Sequence, residues 1–182
     1  ISPDFDGTVR ELFETTAYEF FQSGFFESEI AHPLALRRLY EKNVMNLSGG
    51  ELQRMSIALC LSKEADIYLL DEPSAYLDSN QRMEAAKTIR RVMEKKGRSA
   101  LIVDHDIYFL DMVSDSMMVF RGTPGVEGTA GGPYEMRHGM NMFLEDIDVT
   151  FRRDNDTNRP RINKPGSRLD REQKERGEYY YS

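Results

Sequence analysis

The chain has 182 residues, 40% of them hydrophobic and 30% charged, and its 31 acidic and 24 basic side chains leave a net charge of −7. This is enough apolar material for one globular domain, but no run approaches the ~18 apolar residues of a membrane span and no signal peptide opens the chain, so a cytoplasmic location without a membrane partner is expected. The single cysteine, Cys60, shares a helical apolar pattern with Ile57, Leu59 and Leu61; it is expected in the core, which argues against zinc and iron–sulfur sites.

Ile1-Ser2-Pro3 has the character of the interior of a polypeptide, and a preceding piece is expected to be missing. Thr8 and Glu11 form a capping box, and Val9, Leu12, Phe13, Ala17, Phe20 and Phe21 follow at helical spacing as far as Gly24. A short helical stretch over 25–31 stops near Pro33, and 34–40 resumes the apolar repeat. The aromatic residues are expected in the core and His32 on the surface.

Ser48 can cap a helix over 49–62. Gly49 and Gly50 leave its first amides bare, so that a phosphate oxygen can approach the positive end of the helix dipole, and the continuation Glu51-Leu52-Gln53-Arg54 strengthens that reading. The apolar run over 66–71 predicts a buried parallel strand. At its end Asp71 suits a magnesium-linked carboxylate and Glu72 can orient or deprotonate a water that attacks a terminal phosphate. Two acids capping the turn before Pro73 is the alternative; the helix start just upstream favours the catalytic reading.

Ser74 to Asp78 leads into a helix over 79–95 that Gly97 ends. A second buried strand over 99–103 finishes in Asp104-His105-Asp106, where His105 is placed to contact phosphate and Asp106 to cap a helix over 107–113. A third strand is predicted over 117–120. The glycine-rich 122–132 lacks a Lys-Ser/Thr ending, contains Pro124 and is expected to be a flexible connector. A last helix over 136–147 sets Met140, Phe143, Leu144 and Ile147 on one face and His138 on the exposed side. From Phe151 onward nine basic and six acidic residues give +3, leaving −10 for the first 150. Such a mixed-charge tail suits a solvated arm and a contact surface equally. The phosphate cradle G-x-x-x-x-G-K-[ST] occurs nowhere in the sequence.

Leu47-Ser-Gly-Gly-Glu-Leu-Gln53 resembles the signature motif of ABC-type ATPases, 67–72 the Walker B strand, Ser74 to Asp78 the D-loop and His105 the switch histidine. Order and spacing agree with that superfamily over most of the chain. The ending is more specific: Phe151-Arg-Arg-Asp154, the stretch from Asn158 to Ser167, Asp170-Arg-Glu-Gln-Lys174 and Gly177-Glu-Tyr-Tyr-Tyr181 resemble the C-terminus of the RNase L inhibitor family, ABC subfamily E, whose members split ribosomes for recycling.

The resemblance implies an α/β fold, a P-loop NTPase-like ABC ATPase domain present in part. A helical signature region over about 1–62 and the Walker B side of the parallel-sheet core over 63–150 would precede a hinge-like basic tail over 151–182. In that family two ATPase domains pair head to tail, and this chain resembles the later part of the second. With ATP and Mg2+ as cofactors, Asp71 would hold magnesium, Glu72 would act on the water and His105 would touch the γ-phosphate. Ser48, Gly49 and Gly50 would cover the nucleotide of the first domain, with Glu51, Gln53 and Asp78 also in the nucleotide-binding set. The expected partners are the missing N-terminal part, or a separate chain, that carries Walker A and the first ATPase domain, together with a ribosomal subunit and release or recycling factors.

Walker A, the Q-loop, the first domain and the cysteine-rich iron–sulfur domain are absent from these residues, and Asp104 stands where many relatives have Glu. The chain is therefore expected to be inactive alone. Two other readings compete: the ATPase subunit of an ABC transporter, which leaves the Gly-Glu-Tyr-Tyr-Tyr ending unexplained, and a noncatalytic interaction module, which the missing cradle permits.

Overall fold

Thr8 accepts a hydrogen bond from the Glu11 amide at 3.2 Å and Glu11 returns one to the Thr8 amide at 2.7 Å, which starts helix α1 (Val9–Thr16). The structure, a computed structural model, describes residues 5–154, 156 and 160–180, and they form one unit up to Val113 and a second from Ser114. The hydroxyls of Thr15 and Thr16 bond back to the Leu12 carbonyl, and the chain breaks at Ala17 before a separate turn, α2 (Tyr18–Phe21). α3 (Gly24–Phe26) runs into a π-helical turn, Glu27–Ala31. The apolar repeat predicted over 34–40 yields only a 3-10 turn, Leu36–Arg38, because Ala35 before it is left-handed with φ 51°. Phe13, Phe21 and Phe26 pack with ring centroids 5.2 to 5.4 Å apart, so the aromatic residues build core as expected.

α4 (Gly49–Leu61) buries Met55, Ile57, Ala58 and Leu61 in the same core. Cys60 is half-buried beside it, and burial pushes its thiol pKa up, as befits a packed rather than a reactive cysteine. Strand β1 (Ile67–Asp71) is followed by α5 (Ser79–Lys96), β2 (Ser99–Val103) and α6 (Ile107–Val113). β1 and β2 pair in parallel, from Ile67 opposite Ser99 to Asp71 opposite Val103.

The expectation that both strands are buried needs correction. Tyr68 and Leu70 face the core, but Ile67 is 62% exposed and Leu69 70%, and Leu101 and Val103 of β2 are exposed as well. An uninterrupted apolar run belongs to a parallel sheet covered on both faces, and the described residues cover one. No helix among the described residues is long and apolar enough to cross a membrane.

In the second unit, the stretch expected to be a flexible connector is ordered: β3 (Ser116–Thr123) pairs antiparallel with β4 (Glu127–Glu135). Its glycines serve the close approach of two strands. A Cβ on Gly122, at φ 151°, would sit 2.2 Å from the Glu127 carbonyl oxygen, and Gly125 takes φ 76° in the turn. α7 (Met136–Asp146) packs on this hairpin with Gly139 against Met117.

The tail is folded into this unit rather than loose. β5 (Phe151–Arg153) pairs with β6 (Pro160–Ile162), and α8 (Arg168–Arg176) lies between that hairpin and the chain end, whose Tyr179 carbonyl accepts from the Phe151 amide at 2.7 Å. Buried Thr150, Asn163, Asp170 and Gln173 bond to one another and to the Phe151 carbonyl. Asn158, Arg159 and Tyr181 of the family-like ending, like Ile1 to Pro3, lie outside the described residues.

Candidate functional site

Ser48 stands in extended backbone ahead of α4, and its hydroxyl accepts from the Glu51 amide at 3.4 Å. Glu51 closes the box from the other side, accepting from the Ser48 amide at 3.0 Å and its hydroxyl at 3.1 Å. The Lys42 ammonium, 2.6 Å from the same carboxylate, is the largest of several causes, the Ser48 amide among them, that hold the Glu51 carboxyl down to about 2. Glu51 is thus a fixed negative charge in the first turn, matched to the helix dipole.

The two glycines have a packing role that sequence reasoning missed. A Cβ on Gly49 would lie 3.2 Å from the Tyr76 ring, and one on Gly50 would lie 2.9 Å from the Tyr76 carbonyl oxygen. The loop after β1 therefore rests on the start of α4. Gln53 extends the contact, donating from Nε2 to the Glu72 carbonyl at 3.2 Å. Arg54 turns the other way and donates to the Leu34 carbonyl at 2.7 Å, a structural bond to a residue twenty positions away.

Asp71 and Glu72 emerge at the carboxyl end of β1, beside the end of β2 that carries His105. The Glu72 amide donates to the Val103 carbonyl at 2.7 Å, and the residue adopts φ 45°, a conformation that costs a non-glycine residue about 1–3 kcal/mol and persists only where its surroundings dictate it. Glu72 Oε1 then lies 3.8 Å from His105 Nδ1, with both side chains largely open to solvent. Two of the three groups expected at the strand ends, Glu72 and His105, are thus brought together, and Asp71 is the last residue of the strand before them.

Asp104, noted in the sequence only for standing where many relatives have Glu, ties the site's loops. Its carboxylate accepts from the Ser74 amide at 2.9 Å, the Ser74 hydroxyl at 2.8 Å and the Asp106 amide at 2.8 Å. Asp106 in turn caps α6 through the Phe109 amide and pairs with Arg82 at 2.6 Å. Asp78 caps α5, accepting from the amides of Asn80 and Gln81 at 2.9 Å each. Only the distant partners of Asp104 and Arg54 reveal these roles.

No three His, Cys, Asp or Glu side chains among the described residues gather as a closed metal cluster. The exposed Asp71 carboxylate nevertheless fits magnesium, which keeps most of its waters and shares phosphate oxygens, and so needs only one or two protein carboxylates. Chemically, the strand ends offer a carboxylate for a metal, a carboxylate for a proton and an imidazole for a phosphate oxygen.

The ABC transporter family model matches residues 14–75. The chain is 47% identical over 181 residues to translation initiation factor rli1 of Schizosaccharomyces pombe, covering 100% of this chain and 30% of that protein. Two solved structures, an archaeal ribosome recycling factor aABCE1 in complex with the ribosomal stalk protein aP1 and an RNase-L inhibitor, each superpose with a TM-score of 0.89 at 54% identity, covering 100% of this chain and 35% of theirs. The chain thus spans about a third of the length of the relatives it matches.

Proposed function

The chain belongs to the RNase L inhibitor family of ABC-type ATPases, and from that premise we propose that it is the water-activating part of an ATP-hydrolysing factor that splits ribosomal subunits for recycling. The observation that carries the reading is the 3.8 Å approach of Glu72 and His105 at the ends of two parallel strands, next to Asp71. Asp71 is the residue that would hold magnesium, which would supply charge neutralisation at the phosphates. Glu72 orients the attacking water and takes its proton. His105 donates to a γ-phosphate oxygen.

The start of α4 serves another nucleotide. With the helix dipole's positive end at their backs, Ser48, Gly49 and Gly50 would close over ATP held by a first ATPase domain. A missing N-terminal part, or a separate chain, would supply Walker A and cover the open apolar face of β1 and β2, and the relatives' additional length is ample for both. The relatives' names as a translation initiation factor and a ribosome recycling factor support a ribosomal subunit as partner and a cytoplasmic setting.

The test is Glu72→Gln in the protein that includes this missing part. It keeps the shape of the side chain but removes the proton acceptor, so ATP binding should persist while hydrolysis falls by about 10²-fold or more. Unchanged turnover at that site would end the proposal.

A further inference from the structure

Gly49 and Gln53 stand one turn apart on a single face of α4. That face touches both ends of the loop after β1: the Tyr76 ring lies 3.2 Å from the Cβ position of Gly49, and the Glu72 carbonyl accepts from Gln53 Nε2 at 3.2 Å. Glu72 is held in its left-handed conformation at three points, namely its amide on the Val103 carbonyl, its carbonyl on the Ala75 amide at 3.0 Å and the same carbonyl on Gln53. The first two bonds lie within the strand ends and their loop. Gln53 alone among the three reaches from the helix.

We infer that Gln53 is a positioning residue that couples two nucleotide sites, because it ties the backbone of the water-activating Glu72 to the helix whose start closes over the other nucleotide. The inference rests on the proposed function, in which Ser48 and Glu72 serve different nucleotides. Closure of one nucleotide against Ser48 shifts or steadies α4. One turn further along, the Gln53 amide carries that displacement to the Glu72 carbonyl and so to the aim of its carboxylate. Gly50 keeps the linkage tight, since a side chain there would push the Tyr76 carbonyl off the helix. Coupling of this kind amounts to about 5- to 150-fold in an equilibrium.

The experiment uses the full-length protein, with turnover and nucleotide occlusion read separately at each site. Gln53→Glu and Gln53→Met both remove the donor while keeping the side chain's length. Each should lower kcat at the Glu72 site by about tenfold and leave KM for ATP and the melting temperature unchanged. In the unsubstituted background Ser48→Arg should also depress turnover at the Glu72 site, and in the Gln53→Met background that cross-effect should vanish. If Glu72→Gln stalls its site while Gln53→Met leaves both kcat and the cross-effect of Ser48→Arg intact, the coupling role is overturned. A raised KM with a lowered melting temperature would make Gln53 a packing residue only and overturn it equally. Should Glu72→Gln itself leave turnover unchanged, it is the proposed function that fails, and the inference fails with it.

Discussion

Glu51 shows how one side chain fixes the start of the signature helix. Its carboxylate is held well below the ordinary carboxylate range, first by Lys42 and then by the Ser48 amide, so the folded state binds its proton less readily than the unfolded chain. The stabilisation is therefore fully present above about pH 4.5 and is lost as the pH falls toward about 2. Lys42→Met should raise the Glu51 pKa toward its ordinary value, which a carbon-detected NMR titration of the side-chain carboxyl reads directly; an unshifted midpoint would mean that the ion pair does not set it. The meeting of Glu72 and His105 was legible in the sequence because each follows an apolar run at the end of a strand. The work of Asp104 was not, because its partner Ser74 is thirty residues away and only the fold brings them within 2.9 Å. Gln53 was legible as part of a motif, but its bond to the Glu72 carbonyl was not.

α4 and the loop after β1 form one packed element. Gly50→Ala replaces a poor helix former, a gain of at most about 1 kcal/mol, but its methyl would meet backbone rather than a flexible side chain, and overpacking typically costs about 1–3 kcal/mol. Denaturant unfolding should therefore show Gly50→Ala to be destabilised by roughly 1 kcal/mol; a stabilised variant would show that the loop can give way freely. The tail element is held by polar groups. Gln173→Leu would take one partner each from the Phe151 carbonyl and the Asn163 amide, and because a lost bond to a buried polar group costs about 1–3 kcal/mol, a loss of roughly 2 kcal/mol and faster hydrogen exchange at Asn163 are expected. Wild-type exchange would show that the network is dispensable. At this scale the helix starts at Thr8 and Ser48 were readable from their capping residues, whereas Asp78, expected in the nucleotide-binding set, proves to cap α5. The hairpin partner β4 was not, because its glycines satisfy a close strand approach and look like linker composition when no partner is in view. The open face of β1 and β2 was equally invisible, since an apolar run states that both faces want cover and not what supplies it.

Across the whole molecule, the family was readable from two places far apart in the chain, the signature and Walker B region and the arginine- and tyrosine-rich ending, and the relatives bear both out at 47 to 54% identity over the full chain. The central claim is that one unit presents two chemically different ends to two different nucleotides, Ser48 with its glycines to one and Asp71, Glu72 and His105 to the other. The direct measurement is site-resolved occlusion of labelled ATP in the complete protein, with the Walker A lysine of each site mutated in turn so that only one site loads. Ser48→Arg, which places a bulky side chain at the helix start, should chiefly abolish occlusion at the first-domain site, while Glu72→Gln should trap unhydrolysed ATP at the second. Ser48→Arg leaving occlusion at the first-domain site intact, or Glu72→Gln stalling that site instead of its own, would contradict the account.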